Sequence, residues 1–283
     1  MLQESGQERR VVIIGVGLIG GSIAAALRKR LPDCHIVGVG RNHQRLLKAV
    51  DGGLLDEVAT EITGEVIGHD SLTVICLPVD QIADCVRQVS HVAGARGVIT
   101  DAGSIKGAIY AQLQSNGGEP VTYVGSHPIA GSEQSGFEFA DADLYVGRSC
   151  IVTAGAAIDF LVHRVRRFWE RLGCSVVLME ADEHDRALAL TSHLPHVMAC
   201  VTAGVLDPAL LRFSGTGFRD TTRVAAGSVD VWQSILLGNG LHLLEAIEQA
   251  ERSLQQLRQC IQAGDQDAIR AWLEHAARIR RQL

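Results

Sequence analysis

A histidine followed by a proline, a glycine and a carboxylate makes a chemically loaded stretch, and Ser126-His127-Pro128-Ile129-Ala130-Gly131-Ser132-Glu133 has that composition. Histidine is the side chain whose ordinary pKa lies near neutrality, so it can take up or release a proton under mild conditions. Pro128 and Gly131 shape an irregular backbone, and the apolar residues 121–124 read as a short strand that ends there. His127 and Glu133 are therefore expected on a loop after a strand; an incidental surface histidine is the alternative. Two further clusters stand in the second half of the chain: Ser192-His193-Leu194-Pro195-His196, and Phe218-Arg219-Asp220-Thr221-Thr222-Arg223 followed by Trp232. A proline inside a helical run removes a hydrogen bond and kinks the helix, which can turn a histidine toward a cleft. His196 and Arg223 are read as functional, whereas a satisfied core position suits His193 and an exposed charge suits Arg219.

A fourth motif is more specific. Residues 10–14 have the pattern of a buried strand, Gly15-Val16-Gly17-Leu18-Ile19-Gly20 follows at once, and residues 21–30 continue as a helix. This is the strand, G-x-G-x-x-G, helix context of a dinucleotide site. Gly15 permits the tight turn, Gly17 lets the backbone approach a pyrophosphate, and Gly20 lets helix and strand pack closely. Leu18 and Ile19 lie within the same cofactor-binding turn, and the N-terminus of the helix that follows attracts the phosphate charge. At the end of the second strand, residues 35–39, a free ribose 2'-hydroxyl is usually held by an acid and a 2'-phosphate by arginine. Gly38-Val39-Gly40-Arg41-Asn42 has no acid there. NADP is thus favoured over NAD, with stacking on the adenine or exposure to water as alternative roles for Arg41.

The elements that must position these residues follow an alternating pattern. Residues 72–77 form a strand ended by Pro78, residues 81–92 a helix, and residues 97–100 a strand leading into Asp101-Ala102-Gly103-Ser104-Ile105-Lys106. Strand tips in such a sheet face the ligand crevice, which places Pro78 and Asp101 beside the cofactor. Ser104 is expected either to cap the next helix or to lie against the nicotinamide or substrate, and Asp101 and Lys106 can equally be an ion pair. A strand at 148–153, a helix at 156–172 and a strand at 174–178 would complete the sheet. From residue 181 the pattern is helical only. The expected fold is α/β, an N-terminal Rossmann-type doubly wound sheet over residues 1–180 followed by an all-α domain over 181–283. Apolar helices too long for about 100 residues to cover predict a homodimer through that half.

Composition narrows the chemistry. At 283 residues, 47% of them hydrophobic, the chain can bury a large core. Its apolar runs are far short of a membrane span and no secretory signal opens it, so a cytoplasmic protein with no membrane partner is expected. A net charge of -6 without long basic runs argues against nucleic acid. The seven cysteines are scattered singly among apolar neighbours and imply no metal. Only Lys29, Lys48 and Lys106 are lysines, so a lysine base in the C-terminal half is excluded.

Taken together, Gly15 to Gly20, Asp101 to Lys106, Ser126 to Glu133, Ser192 to His196 and Phe218 to Arg223 resemble the prephenate/arogenate dehydrogenase family of tyrosine biosynthesis, in order and spacing across nearly the whole chain. The resemblance implies a Rossmann domain, a helical dimerisation domain, and oxidative decarboxylation of a cyclohexadiene acid with NAD or NADP as hydride acceptor. It assigns catalysis to His127 with Ser104 hydrogen-bonded to it, and puts His196, Arg223 and Glu133 at the substrate, with Ser132 and Ser192 from the same segments. In such a reaction the hydroxyl-bearing ring carbon loses a hydride, and neutral His127 accepts the hydroxyl proton. Arg223 positions the ring carboxylate with a permanently charged fork, while Glu133 serves orientation, a water contact or gating. Prephenate is favoured over arogenate, because both histidines of the Ser192 segment are present. No C-terminal regulatory module is expected, so feedback by tyrosine, if it occurs, would act at the active site. The rivals are a hydroxyacid-type dehydrogenase, which relies on a lysine absent from the helical half, and a non-catalytic NADP-binding protein.

Overall fold

The computed structural model describes residues 8–92, 97–115, 122–131 and 134–282. The first half alternates: β1 (Arg10–Ile14), α1 (Leu18–Arg30), β2 (His35–Val39), α2 (His43–Asp51), β3 (Glu57–Ala59), α3 (Gly64–Ile67), β4 (Leu72–Ile75), α4 (Val79–Val92), β5 (Val98–Asp101) and α5 (Gly107–Ser115). There follow β6 (Gly125–Pro128), β7 (Ser149–Thr153), α6 (Asp159–Leu172) and β8 (Ser175–Leu178). The first five strands are parallel in the order β3-β2-β1-β4-β5. Period-two alternation sends neighbouring side chains of one strand to opposite cores: Val11 and Ile13 pack with Ile23, Leu27, Phe168 and Trp169, whereas Val12 and Ile14 pack with Ile82, Val86 and Ile109. Both faces are covered by helices, so β1 and β4 are almost wholly apolar.

The last three strands form their own ladder, β6-β7-β8, with β6 antiparallel to β7. They do not complete the first sheet as the sequence pattern implied. Ile99 bridges Tyr123, and beyond that point side chains replace the ladder: the Ser126 hydroxyl donates to the Asp101 carbonyl and the Ser126 N–H to Asp101 Oδ1 at 3.0 Å. A second correction concerns His127. It lies on strand β6, paired with Ile151 and 9% exposed, and not on a loop. Pro128 is tolerated because it is the strand's final residue.

From Ala181 onward the described residues are helical: α7 (Ala181–Leu188), α8 (Leu194–Gly204), α9 (Thr216–Thr222), α10 (Val229–Gly238), α11 (Gly240–Ala263) and α12 (Gln266–Arg280). Between α7 and α8 the chain makes a π-helical turn, Ala189–His193, so the run from 181 to 204 is continuous but underwound just before Pro195. Proline offers no N–H to the carbonyl four residues back, and the wider turn accommodates that loss. This half exposes large apolar side chains, among them Val205 at 78%, Leu237 at 76% and Leu241 at 71%. Among the described residues no helix is long and apolar enough to cross a membrane.

Candidate active site

The carboxyl ends of β1, β4, β5 and β6 converge on one edge of the molecule. At β1 the chain turns through Gly15, whose φ of +96° suits glycine and where a Cβ would lie 2.5 Å from the Cys76 carbonyl oxygen. A Cβ on Gly20 would lie 2.3 Å from the Gly15 oxygen, so that glycine is also required by packing. Gly17 differs. A Cβ there would meet nothing within 4 Å, and Gly17 begins α1 without any side-chain cap. The first N–H groups of α1, at Leu18 and Ile19, therefore stand beside free space, which is the arrangement a pyrophosphate fits. Arg41 is exposed just past β2, and Pro78 is exposed at the start of α4. Arg45, one turn beyond Arg41, is engaged by Glu138 at 3.0 Å and lies over the Phe137 ring.

The Asp101 side chain turns into the core. It is fully buried, and both carboxylate oxygens are taken: Oδ1 accepts from Tyr123 Oη and Ser126 N–H at 3.0 Å each, and Oδ2 accepts from Gly103 N–H at 2.8 Å and from Lys106 Nζ. The strand-tip rule located it at the right edge, but its side chain turns inward to tie β5 to β6. Lys106 is equally buried, so the two form an internal ion pair directly under the His127 strand.

His127 is held from behind. Its Nδ1 is 2.8 Å from His184 Nε2, His184 Nδ1 is 2.7 Å from Asp185 Oδ1, and Asp185 accepts the backbone N–H of Lys106 at 2.8 Å and of Gly107 at 2.7 Å. Asp185 thus caps α5 from another element, the position for which Ser104 was a candidate. Ser104 is part-buried between β5 and α5, and among the described residues it makes no hydrogen bond to His127. Burial pushes the His127 pKa well below the usual histidine range, helped by His184, Lys106 and His193. His184 is lowered as well, chiefly by burial. Burial alone would raise Asp185, but bonds from His184 and the two backbone N–H groups hold it below the ordinary carboxylate range. The site therefore presents a neutral His127 joined through His184 to an ionised Asp185.

Of three histidines in the helical half with a buried ring nitrogen that lacks a partner among the described residues, His193 and His196 belong to the Ser192 segment. Asn239, between α10 and α11, donates its amide to the Asp185 carbonyl at 2.7 Å and to His193 Nδ1 at 3.0 Å. His193 then carries its proton on Nε2, a buried atom without a partner among the described residues. Burial lowers His193 to a pKa of about 4, so it stays neutral. His196 stacks on Trp232 with ring centroids 3.4 Å apart, and its buried Nδ1 also lacks a partner. Unsatisfied buried polar atoms cost free energy and are found where a ligand completes them. Ser192 lies part-buried in the π-turn, and Arg223 is exposed at the start of the 3-10 turn Arg223–Ala226, which packs against α8. Ser132 and Glu133 lie outside the described residues. Sequence reading missed His184, Asp185 and Asn239.

Comparison with known proteins agrees along the whole chain. Residues 23–178 match the family model for the prephenate dehydrogenase nucleotide-binding domain, and residues 180–275 that for its dimerization domain. A cyclohexadienyl dehydrogenase of Zymomonas mobilis is 33% identical over 275 residues, covering 94% of this chain and 92% of that protein. A prephenate dehydrogenase of Lactococcus lactis is 29% identical, covering 96% and 77% respectively. Among solved structures, A. aeolicus prephenate dehydrogenase in complex with hydroxyphenyl propionate and NAD+ superposes with a TM-score of 0.90 at 31% identity, covering 99% of each chain. Synechocystis arogenate dehydrogenase gives 0.80 at 26% identity, covering 96% of this chain and 99% of that one.

Proposed function

The chain belongs to the prephenate dehydrogenase family, and from that premise we propose that it is a cytoplasmic, homodimeric enzyme that oxidises and decarboxylates prephenate in preference to arogenate, with NADP in preference to NAD. Its division is a nucleotide-binding unit over residues 1–180 and a helical unit over 181–283. The observation that carries this reading is the buried, neutral His127, held by its Nδ1 on a strand tied to the end of β5, in the domain whose first strand ends in the glycine turn. A nicotinamide bound on the turn Gly15 to Gly20 accepts the hydride. His127 Nε2 takes the hydroxyl proton of the substrate, and its lowered pKa keeps it unprotonated and ready below the ordinary histidine range. The buried Nε2–H of His193 and the Nδ1 of His196 supply polar contacts for substrate oxygens. Ser104 is assigned to the reacting hydroxyl, and Ser192, Ser132 and Glu133 to the border of the substrate. Exposed apolar side chains of the helical half support the dimer.

Two substitutions check the assignments. Arg223→Ala should raise the substrate KM by roughly 10- to 100-fold, the loss of a charge-assisted contact of ~1.5–3 kcal/mol, while the KM for cofactor stays near its original value. An unchanged substrate KM removes the carboxylate role. At Gly40 a Cβ would meet only Leu46 side-chain atoms at ordinary contact distances of 3.7 Å and beyond, so an acid fits without disturbing the fold. Gly40→Asp is expected to shift the ratio of kcat/KM values toward NAD by about tenfold or more, through repulsion of the 2'-phosphate and a bond to the free ribose hydroxyl. No shift would remove the argument for Arg41. Pairing the purified protein with each of prephenate and arogenate, and each of NAD and NADP, tests the whole reading by the appearance of reduced nicotinamide.

A further inference from the structure

We propose that Asp185 and His184 form a relay that fixes the tautomer of His127 and holds the substrate's proton while the ring loses carbon dioxide. The inference rests on His127 being the base. An ionised carboxylate can only accept, so the 2.7 Å contact puts a hydrogen on His184 Nδ1. Neutral His184 then offers a lone pair at Nε2, and the 2.8 Å contact puts a hydrogen on His127 Nδ1. What remains on His127 is a lone pair at Nε2, the state a general base needs. The tautomer is set two residues away from the chemistry, and Asp185 is itself held still by the N–H groups of Lys106 and Gly107.

The proton balance gives the relay its second task. When the ring hydroxyl ionises, its proton forms a bond to His127 Nε2 as hydride leaves the ring carbon. Breaking the bond to the carboxylate then returns an electron pair to the ring, and the oxygen becomes a phenolate that needs a proton. No proton is gained or lost overall: the one removed first is the one returned last. Between those events His127 can pass its Nδ1 proton to His184 Nε2, leaving an imidazolium against the Asp185 carboxylate. The positive charge is then paired with the Asp185 carboxylate. The groups facing this pair are Lys106 and Asp101 from the β5–α5 segment and His193 from the π-turn, and the Lys106 charge is already matched by Asp101.

The direct test is the histidine nitrogen spectrum of the substrate-free protein labelled with 15N, with His127→Asn used to assign its resonances. The expected result is His127 protonated at Nδ1 and bare at Nε2; the reverse tautomer overturns the proposal. His184→Gln separates holding from carrying, since glutamine can accept from His127 and donate to Asp185 but cannot take a proton. It is expected to lower kcat by roughly tenfold or more with substrate and cofactor KM little changed, and to move the acid limb of kcat/KM to lower pH. Asp185→Asn, which keeps a carbonyl acceptor for α5, should move both quantities the same way. If His184→Gln and Asp185→Asn leave kcat and the acid limb at their original values, the relay is wrong. His127→Asn distinguishes this failure from that of the underlying reading, because it is inactive if His127 is the base, whatever His184 does.

Discussion

Replacing His127 by asparagine is expected to lower kcat by about 10²- to 10⁴-fold, the usual contribution of a positioned general base, with cofactor affinity essentially unchanged. Asparagine preserves the approximate volume and a polar end, so β6 can keep its pairing to β7. It cannot accept a proton at neutral pH. The substitution removes a neutral side chain that is neither part of the glycine turn nor paired to a charge, so the loss should fall on the chemical step. Stopped-flow measurement of reduced nicotinamide, beside a titration of cofactor binding, separates the two effects. A large fall in cofactor affinity with residual turnover intact would mean that His127 is a structural residue.

The largest stability effect is expected at Lys106. Lys106 and Asp101 are both fully buried and pair with each other. Removing one member of such a pair leaves an uncompensated buried charge, which typically costs ~3–5 kcal/mol. That is a large share of the ~5–15 kcal/mol by which domains are usually stable. Lys106→Met keeps most of the aliphatic volume, so the loss reports on charge and not on packing. It should lower the urea midpoint at similar m-value, and Asp101→Asn in the same chain should recover part of the loss. A change below ~1 kcal/mol would mean that water or a rearranged neighbour already satisfies Asp101.

These residues also show what can be read from sequence. Gly15 and Gly20 were legible because their constraint is local: a positive-φ turn and a close packing contact both fall within six residues of chain. Pro195 likewise announced a disturbed helix, and the π-turn is its form. The parallel sheet and its helices followed from apolar periodicity, though β3 and α3, three and four residues long, carry too little pattern to detect. A strand-end rule places Asp101 but not the direction of its side chain, which turns inward to Tyr123, Ser126, Gly103 and Lys106. His184 and Asp185 were invisible for a different reason. In sequence they sit among Asp182, Glu183 and Arg186, which reads as a solvated helix start, yet both are buried at the seam between α7 and α5. Their partners lie 57 and 79 residues away, and no local spacing encodes that contact.

The measurement that bears most directly on the whole account is a single-turnover experiment with the purified protein, prephenate and NADP, in which reduced nicotinamide and carbon dioxide are followed together. The account predicts one equivalent of each per substrate consumed, at the same rate, and the loss of both in His127→Asn. Absence of turnover with prephenate and with arogenate, under either cofactor, would contradict it.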